Sequence, residues 1–486
     1  MALHSLQRHL AFNQNIISGI VLFFTVGIYL AVLGLGAGGG KPSSQRVSDI
    51  SNCALYAIFA VFGFFTGSIM NKMGPKLTML IGIFGYPFYI AGLFYYDRTG
   101  GEGFPIAGGI VLGLSAPMLW SVSGFIQWAY ATEVEKGQFI SWQYFINQVG
   151  SVIGSLVAFV IILNGTSTAD GSPTGVYIAF LILMCMAFLV AYFGLVKPAD
   201  VRRADGTPIA VFHALSFKQE LAGVSVVLKD VRVLALLPVM FCSEMTLAIT
   251  PSFNGSLFNL RTRALNPVIF YTMALPSTWM VTYLTDRSAT DRKRRGIYAV
   301  SFVGFLLIVG WVPLYVWTTL SPTYANPPVG GVDWTDSSRF AGPFIIYLIF
   351  GVLYTCHQLV GMWVFGTFSN DPRVLAVYGG LWKGVAGGGL AVIFGIASSG
   401  IKFHTQLIIV MSLQFISLPL MLFLVIKYCT NTNYGKEENV VVPHYAEKQF
   451  HVYGASAKED NGASDGQETP KDADMVVHIE KNDTTV

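Results

Sequence analysis

Glu244 and Lys383 each stand inside a long apolar run with few other charges, and an ionisable side chain in such surroundings calls for a chemical explanation. Glu244 lies about eleven residues into its run, which at about 1.5 Å per residue places the carboxyl roughly 16 Å deep. At that depth it can accept a proton or face a bound cation, or it can rest as a protonated acid bonded to a neighbouring helix. Lys383, shallower in its run, needs an anionic partner or a stem long enough to carry its ammonium to the surface. His357-Gln358 adds a titratable ring and an amide, and Asn147-Gln148 and Gln127 add further amides, which can line a polar path or bond across helices. These seven residues are the candidate substrate or ion pathway.

The elements that must position them are membrane helices. The chain is 53% hydrophobic and 12% charged, against about a quarter charged in a soluble domain. About twelve apolar runs fall near 16–35, 51–70, 77–96, 105–130, 142–163, 175–196, 233–252, 267–285, 297–319, 340–367, 374–398 and 404–426, each close to the roughly 20 residues that cross a bilayer. Lipid offers the backbone no hydrogen-bond partner, so runs of this kind are helices and the fold class is an all-α polytopic membrane protein. The spans divide into six over 16–196 and six over 233–426, joined by a long connection at 197–232. A short segment at 1–15 precedes them, and an acidic tail at 427–486, poor in large apolar residues, is expected to be disordered. Lys and Arg concentrate on one set of loops, including Lys72, Lys76, Arg202, Arg203 and Arg292 to Arg295, which puts both termini and the central connection in the cytoplasm. The protein is thus an integral multi-pass protein of the plasma membrane or an internal membrane such as the vacuole's.

Glycines recur at Gly150 and Gly154 and from Gly379 to Gly389, a pattern that lets helices approach closely. Asn164-Gly165-Thr166 and Asn254-Gly255-Ser256 match the glycosylation sequon on predicted outer segments. The five cysteines have no metal-binding spacing, and Cys429, beside the membrane, is a candidate for palmitoylation. There is no phosphate-binding Gly-x-x-x-x-Gly-Lys-Ser/Thr loop, no His-Glu-x-x-His helix and no nucleophile elbow. An enzyme, a cofactor, a metal centre and a nucleic-acid partner are therefore not expected.

Gly67-Ser68-Ile69-Met70-Asn71-Lys72-Met73-Gly74-Pro75-Lys76 reads as a compact basic turn. It resembles the major facilitator loop pattern Gly-x-x-x-Asp-Arg/Lys-x-Gly-Arg/Lys, with Asn71 in place of the acid, and Asp286-Arg287 resembles its degenerate counterpart in the second half. The resemblance implies that these loops gate access, and that the missing acid weakens the first gate. Phe258 to Asn266, Ser369-Asn370-Asp371-Pro372 and Tyr378 to Gly384 are in turn similar to the uncoordinated-93 family, especially its fungal branch. That similarity implies a major facilitator fold and links the chain to potassium-channel regulation and receptor trafficking. Arg261 and Arg263 are expected in an outer loop, against phosphate headgroups or an outer gate. The expected function is secondary transport of a small solute or ion, linked to potassium or protons. The alternative is a non-transporting regulatory or trafficking subunit for another membrane protein such as an ion channel.

Overall fold

The computed structural model describes residues 7–34, 44–164, 174–209, 225–286, 290–437 and 440–443. Twelve long helices follow one another among the described residues: α1 (Ala11–Gly34), α2 (Gln45–Met73), α3 (Pro75–Thr99), α4 (Gly103–Ala129), α5 (Lys136–Asn164), α6 (Thr174–Gly194), α7 (Val231–Leu257), α8 (Leu260–Thr285), α9 (Arg292–Leu320), α10 (Ser337–Gly366), α11 (Pro372–Ser398) and α12 (Phe403–Tyr428). Eleven are long and apolar enough to cross a membrane. The other, α8, has 26 residues but carries Asn266, Pro267, Pro276 and several threonines. Short polar residues start the later helices: Asp230, Asn259, Asp336 and Asp371 each accept a hydrogen bond from a backbone N–H in the first turn of α7, α8, α10 and α11. These caps satisfy amides that lipid would leave bare.

Two helices are interrupted, and they occupy the same place in the first and second sets of six. In α1 a π-helical turn at Phe23–Gly27 separates two α-helical stretches. In α7 the helix stops at Cys242 and restarts at Met245, with Ser243 and Glu244 between. Glycine makes room for both breaks. A Cβ on Gly150 would stand 2.4 Å from the Phe23 carbonyl oxygen, and one on Gly389 would stand 1.8 Å from that of Phe241. Between the first and the last six helices, α2 packs most extensively against α11, and α5 against α8. At the first of these contacts a Cβ on Gly380 would come within 2.4 Å of the Gly63 carbonyl oxygen.

The basic turn is shorter than the sequence suggested. Gly67, Asn71 and Lys72 belong to α2, and the chain reverses at Gly74 alone, with φ of 82°. Pro75 then opens α3, where its fixed φ suits the first turn. Gly67 is a packing position, its missing side chain leaving space for the Ala376 carbonyl, and Lys76 places its ammonium 4.6 Å from the Tyr192 ring centre on α6. Arg287 lies outside the described residues, as do 444–486 of the expected disordered tail. The start of that tail is not free. Residues 430–437 and 440–441 run as a strap over the face on which the chain leaves α12, bonded there to the loops between helices. The same face holds the beginning of the described chain, where Ala11 donates to the Arg202 carbonyl. It is called the terminal face below.

Candidate substrate site and its gates

The break in α7 places Glu244 halfway along a 27-residue span, where the helix ends leave backbone groups and side chains turned toward the interior. Lys383, near the middle of α11, forms a buried ion pair with it. Gln358 of α10 donates to the same carboxylate oxygen, and its Nε2 also lies 3.2 Å from the Tyr144 hydroxyl. The Lys383 ammonium does not turn to the surface. It sits over the Trp120 ring, 3.7 Å from its centre, and 5.5 Å from the centre of Tyr144. Three helices of the last six thus meet two of the first six around one carboxylate.

A cavity of about 40 Å³ adjoins the pair. That exceeds the roughly 10–15 Å³ a cavity needs to hold one water. Val26 from the π-helical turn of α1, Tyr29 just beyond it, Tyr56, Tyr86, Asn147 and Tyr354 join Glu244 and Lys383 in lining it. Beside it, the Asn52 side-chain oxygen Oδ1 accepts from Tyr29 at 3.0 Å and Tyr89 at 2.9 Å, and the Tyr29 and Tyr56 hydroxyls are 3.1 Å apart. This network holds aromatic rings from α1, α2 and α3 in place.

On the terminal face the first six helices are tied to the last six through residues 133–138. Glu133 is the hub: its Oε1 meets Arg292 of α9 at 3.3 Å, accepts from the Asn370 side chain at 2.6 Å, and accepts from the backbone N–H of Asn433 in the strap at 2.8 Å. Burial opposes the Glu133 carboxylate, but Arg292 and these hydrogen bonds outweigh it and hold the carboxyl below its usual range. Lys136 donates to the carbonyls of Gly366 and Ser369 and to the Asn370 side chain, at 2.6 to 2.8 Å. Asp286 accepts from the backbone N–H of Gln138 at 2.5 Å and of Gly137 at 3.2 Å, so the end of α8 caps the start of α5. Burial pushes its carboxyl up to about 6 against those bonds. The strap covers this cluster: Glu437 accepts from Ser369 Oγ at 2.6 Å and the Asn370 N–H at 2.7 Å, and the Tyr434 hydroxyl accepts from the Glu133 N–H.

The opposite face is also tied. Asn254 is fully buried and donates to the carbonyls of Gly34 and Arg263 at 3.0 Å each, while accepting from Asn266 at 2.9 Å. It therefore cannot carry a glycan, which corrects its assignment as an acceptor. The side chain of Asn164 lies outside the described residues. Because α8 begins at Leu260, Arg261 and Arg263 are helix residues and not parts of a loop. Arg263 is buried. Arg261 is exposed and bonds Asp333 at 2.5 and 2.8 Å, holding that carboxyl well below its usual range.

Of the seven pathway candidates, Glu244, Lys383 and Asn147 line the cavity, Gln358 reaches it only through its bond to Glu244, and the other three do neither. His357 points to α12, where its Nε2 lies 3.4 Å from Ser417 Oγ. Gln148 and Gln127 are buried elsewhere. The residues that sequence reasoning missed are the aromatics, Tyr29, Tyr56, Tyr86, Trp120, Tyr144 and Tyr354, and the hub Glu133 with Lys136. The aromatics sit on six helices and share no spacing. The acidic and basic run Glu133-Val134-Glu135-Lys136, set between two spans, was the available signal for the hub. Cys185 is exposed, whereas Cys429 is buried and so is not offered for acylation.

Two helix sets meeting at a buried charged centre, closed above and below, define the class: a polytopic carrier fold. The profile of the Major Facilitator Superfamily matches residues 15–329. In overall fold the chain is similar to the xylose transporter XylE of E. coli in a partially occluded inward-open conformation, with a TM-score of 0.58 at 13% identity over 85% of this chain and 96% of that one. The chain is 38% identical to an uncharacterized membrane protein of Schizosaccharomyces pombe over 82% of its own length and 80% of the relative's. It is 30% identical to UNC93-like protein 1 of Arabidopsis thaliana over 86% of its length and 91% of that protein's. The protein belongs to the UNC93-like group of the Major Facilitator Superfamily.

Proposed function

We propose that the protein is a secondary carrier of a small solute or ion, in which two six-helix halves, 16–196 and 233–426, joined by 197–232, rock about the Glu244–Lys383 pair. The observation that carries this reading is the pair itself. A buried ion pair is a poor source of stability against well-packed apolar residues, and this one stands at a helix break beside a cavity, which is where carriers bind their cargo. Glu244 is the group to exchange a proton or a monovalent cation, since its one charge is balanced by one partner. The ties at Glu133, Lys136 and Asp286 are contacts that must part for the cavity to open on the terminal face, and those at Asn254 must part for it to open on the other. The Major Facilitator family favours transport over catalysis, and no nucleophile–base pair is formed among the described residues that line the cavity.

Alternation can be tested before the cargo is known. In a cysteine-free variant, Ala116→Cys puts a thiol in the cavity wall, and a membrane-impermeant thiol reagent is applied to vesicles of either orientation. A carrier is expected to be labelled from both sides. Labelling from one side or from neither, with folded protein, would reject it and favour the reading as a non-transporting partner of another membrane protein.

A further inference from the structure

Lys383 shows what the site holds. Its ammonium rests on the face of Trp120, near Tyr144, with Glu244 as counter-charge. A carboxylate set among aromatic faces is an arrangement that recognises organic ammonium groups, because the ring faces carry partial negative charge and tolerate alkyl substituents. Building on the carrier reading, we propose that Lys383 is a tethered occupant of the substrate's place, and that the cargo is a small organic cation, an alkylamine or quaternary ammonium, which displaces it from Trp120 and Glu244.

Three features agree with this. Leu55, Leu112 and Leu390 form part of the wall, and they suit an alkyl body. The open space of about 40 Å³ limits the body to a few carbon atoms beyond the volume that the lysine head vacates. Among the described lining residues Glu244 and Lys383 are the only charged ones, and Tyr29, Tyr56, Tyr86 and Tyr354 are the other titratable groups. One carboxylate balances one cation, so two ammonium groups cannot share it at low cost. Entry of the cargo therefore leaves Lys383 as a neutral amine, and its proton passes to water on the side where the cavity is open. Return of a proton to Lys383 on the other face expels the cargo there. The cycle exchanges one organic cation for one proton, and charge is conserved at each step.

The test uses the full-length purified protein. In thermal unfolding in detergent, ethylammonium chloride is compared with potassium chloride at equal ionic strength, for the wild type, Lys383→Ala and the double variant Glu244→Gln with Lys383→Met. Ethylammonium fills the gap left by Lys383→Ala, so it is expected to raise that variant's melting temperature saturably, the wild type's less, and the double variant's not at all. Liposomes with a pH indicator inside then receive tetramethylammonium outside, a cation that cannot cross as a neutral base, and the lumen is expected to become alkaline. If Lys383→Ala does not fold, this wild-type flux decides. Ammonium salts that act no differently from potassium salts on the folded variants overturn the proposal, and a response to potassium alone assigns the site to an inorganic cation. Saturable stabilisation without flux upholds the ammonium site and rejects the carrier reading.

Discussion

At the scale of single residues the central question is why a carboxylate and an ammonium are kept where each costs most. Removing one partner of a buried pair costs about 3–5 kcal/mol, because the other charge stays behind without its counter-ion. Glu244→Gln and Lys383→Met should each lower the melting temperature of the purified protein more than the double variant does. A double variant at least as damaged as the worse single one would show that the pair is not the energetic unit described. Asn254 supplies a second residue-level expectation. Its amide bonds three groups inside the protein, so in an Asn164→Gln variant, glycosidase treatment should leave electrophoretic mobility unchanged.

At the scale of elements, the interruption of α7 depends on a neighbour that has no side chain. Gly389 of α11 faces the Phe241 carbonyl at a distance no Cβ tolerates, whereas a Cβ on adjacent Gly388 would meet nothing closer than 3.7 Å. Gly389→Ala should therefore sharply reduce folded protein recovered by size-exclusion chromatography, and Gly388→Ala should leave it near wild type. The strap is the other element with a distinct role. Truncation after Thr430 removes the bonds from Asn433 to Glu133 and from Ser369 and Asn370 to Glu437. That loss should raise the labelling rate of a cysteine placed at Gln138 in a cysteine-free background. Truncation after Pro443 spares these bonds and should not change the rate.

For the whole molecule, what matters is that helix sets are held together on both faces by few polar contacts. Asp286 is one whose strength changes with pH. Its carboxyl is pushed up to about 6 from an unfolded value near 3.9, so the folded chain binds the proton more tightly than the unfolded one. Its contribution to stability is present below about pH 4 and is lost as pH rises through 6. Glu133, held below its usual range, stays ionised over pH 5–7 and adds no slope there. Melting temperature should rise from pH 7 to pH 5, and Asp286→Asn should flatten the part of that rise due to this contact. Equal slopes in both proteins would exclude Asp286 as the source.

Much of this was legible in the sequence for a physical reason: lipid imposes length and apolarity on every span, so a local property reports the architecture. Twelve helices, and the isolation of Glu244 and Lys383 within two of them, follow from residue order alone. Boundaries set by polar residues were less visible. Helix α8 begins seven residues before its apolar run, because Asn259 caps it and Arg261 finds Asp333 in a distant loop. The start of the tail, read as disordered from its composition, is held because Asn433, Tyr434 and Glu437 meet partners from loops far away in the chain. The tertiary structure alone decided that Glu244 pairs with Lys383 across 139 positions, that Trp120 and Tyr144 enclose the ammonium, and that His357 turns away from it. Such contacts join side chains from separate helices, and their relative rotation is set by packing that no single segment encodes.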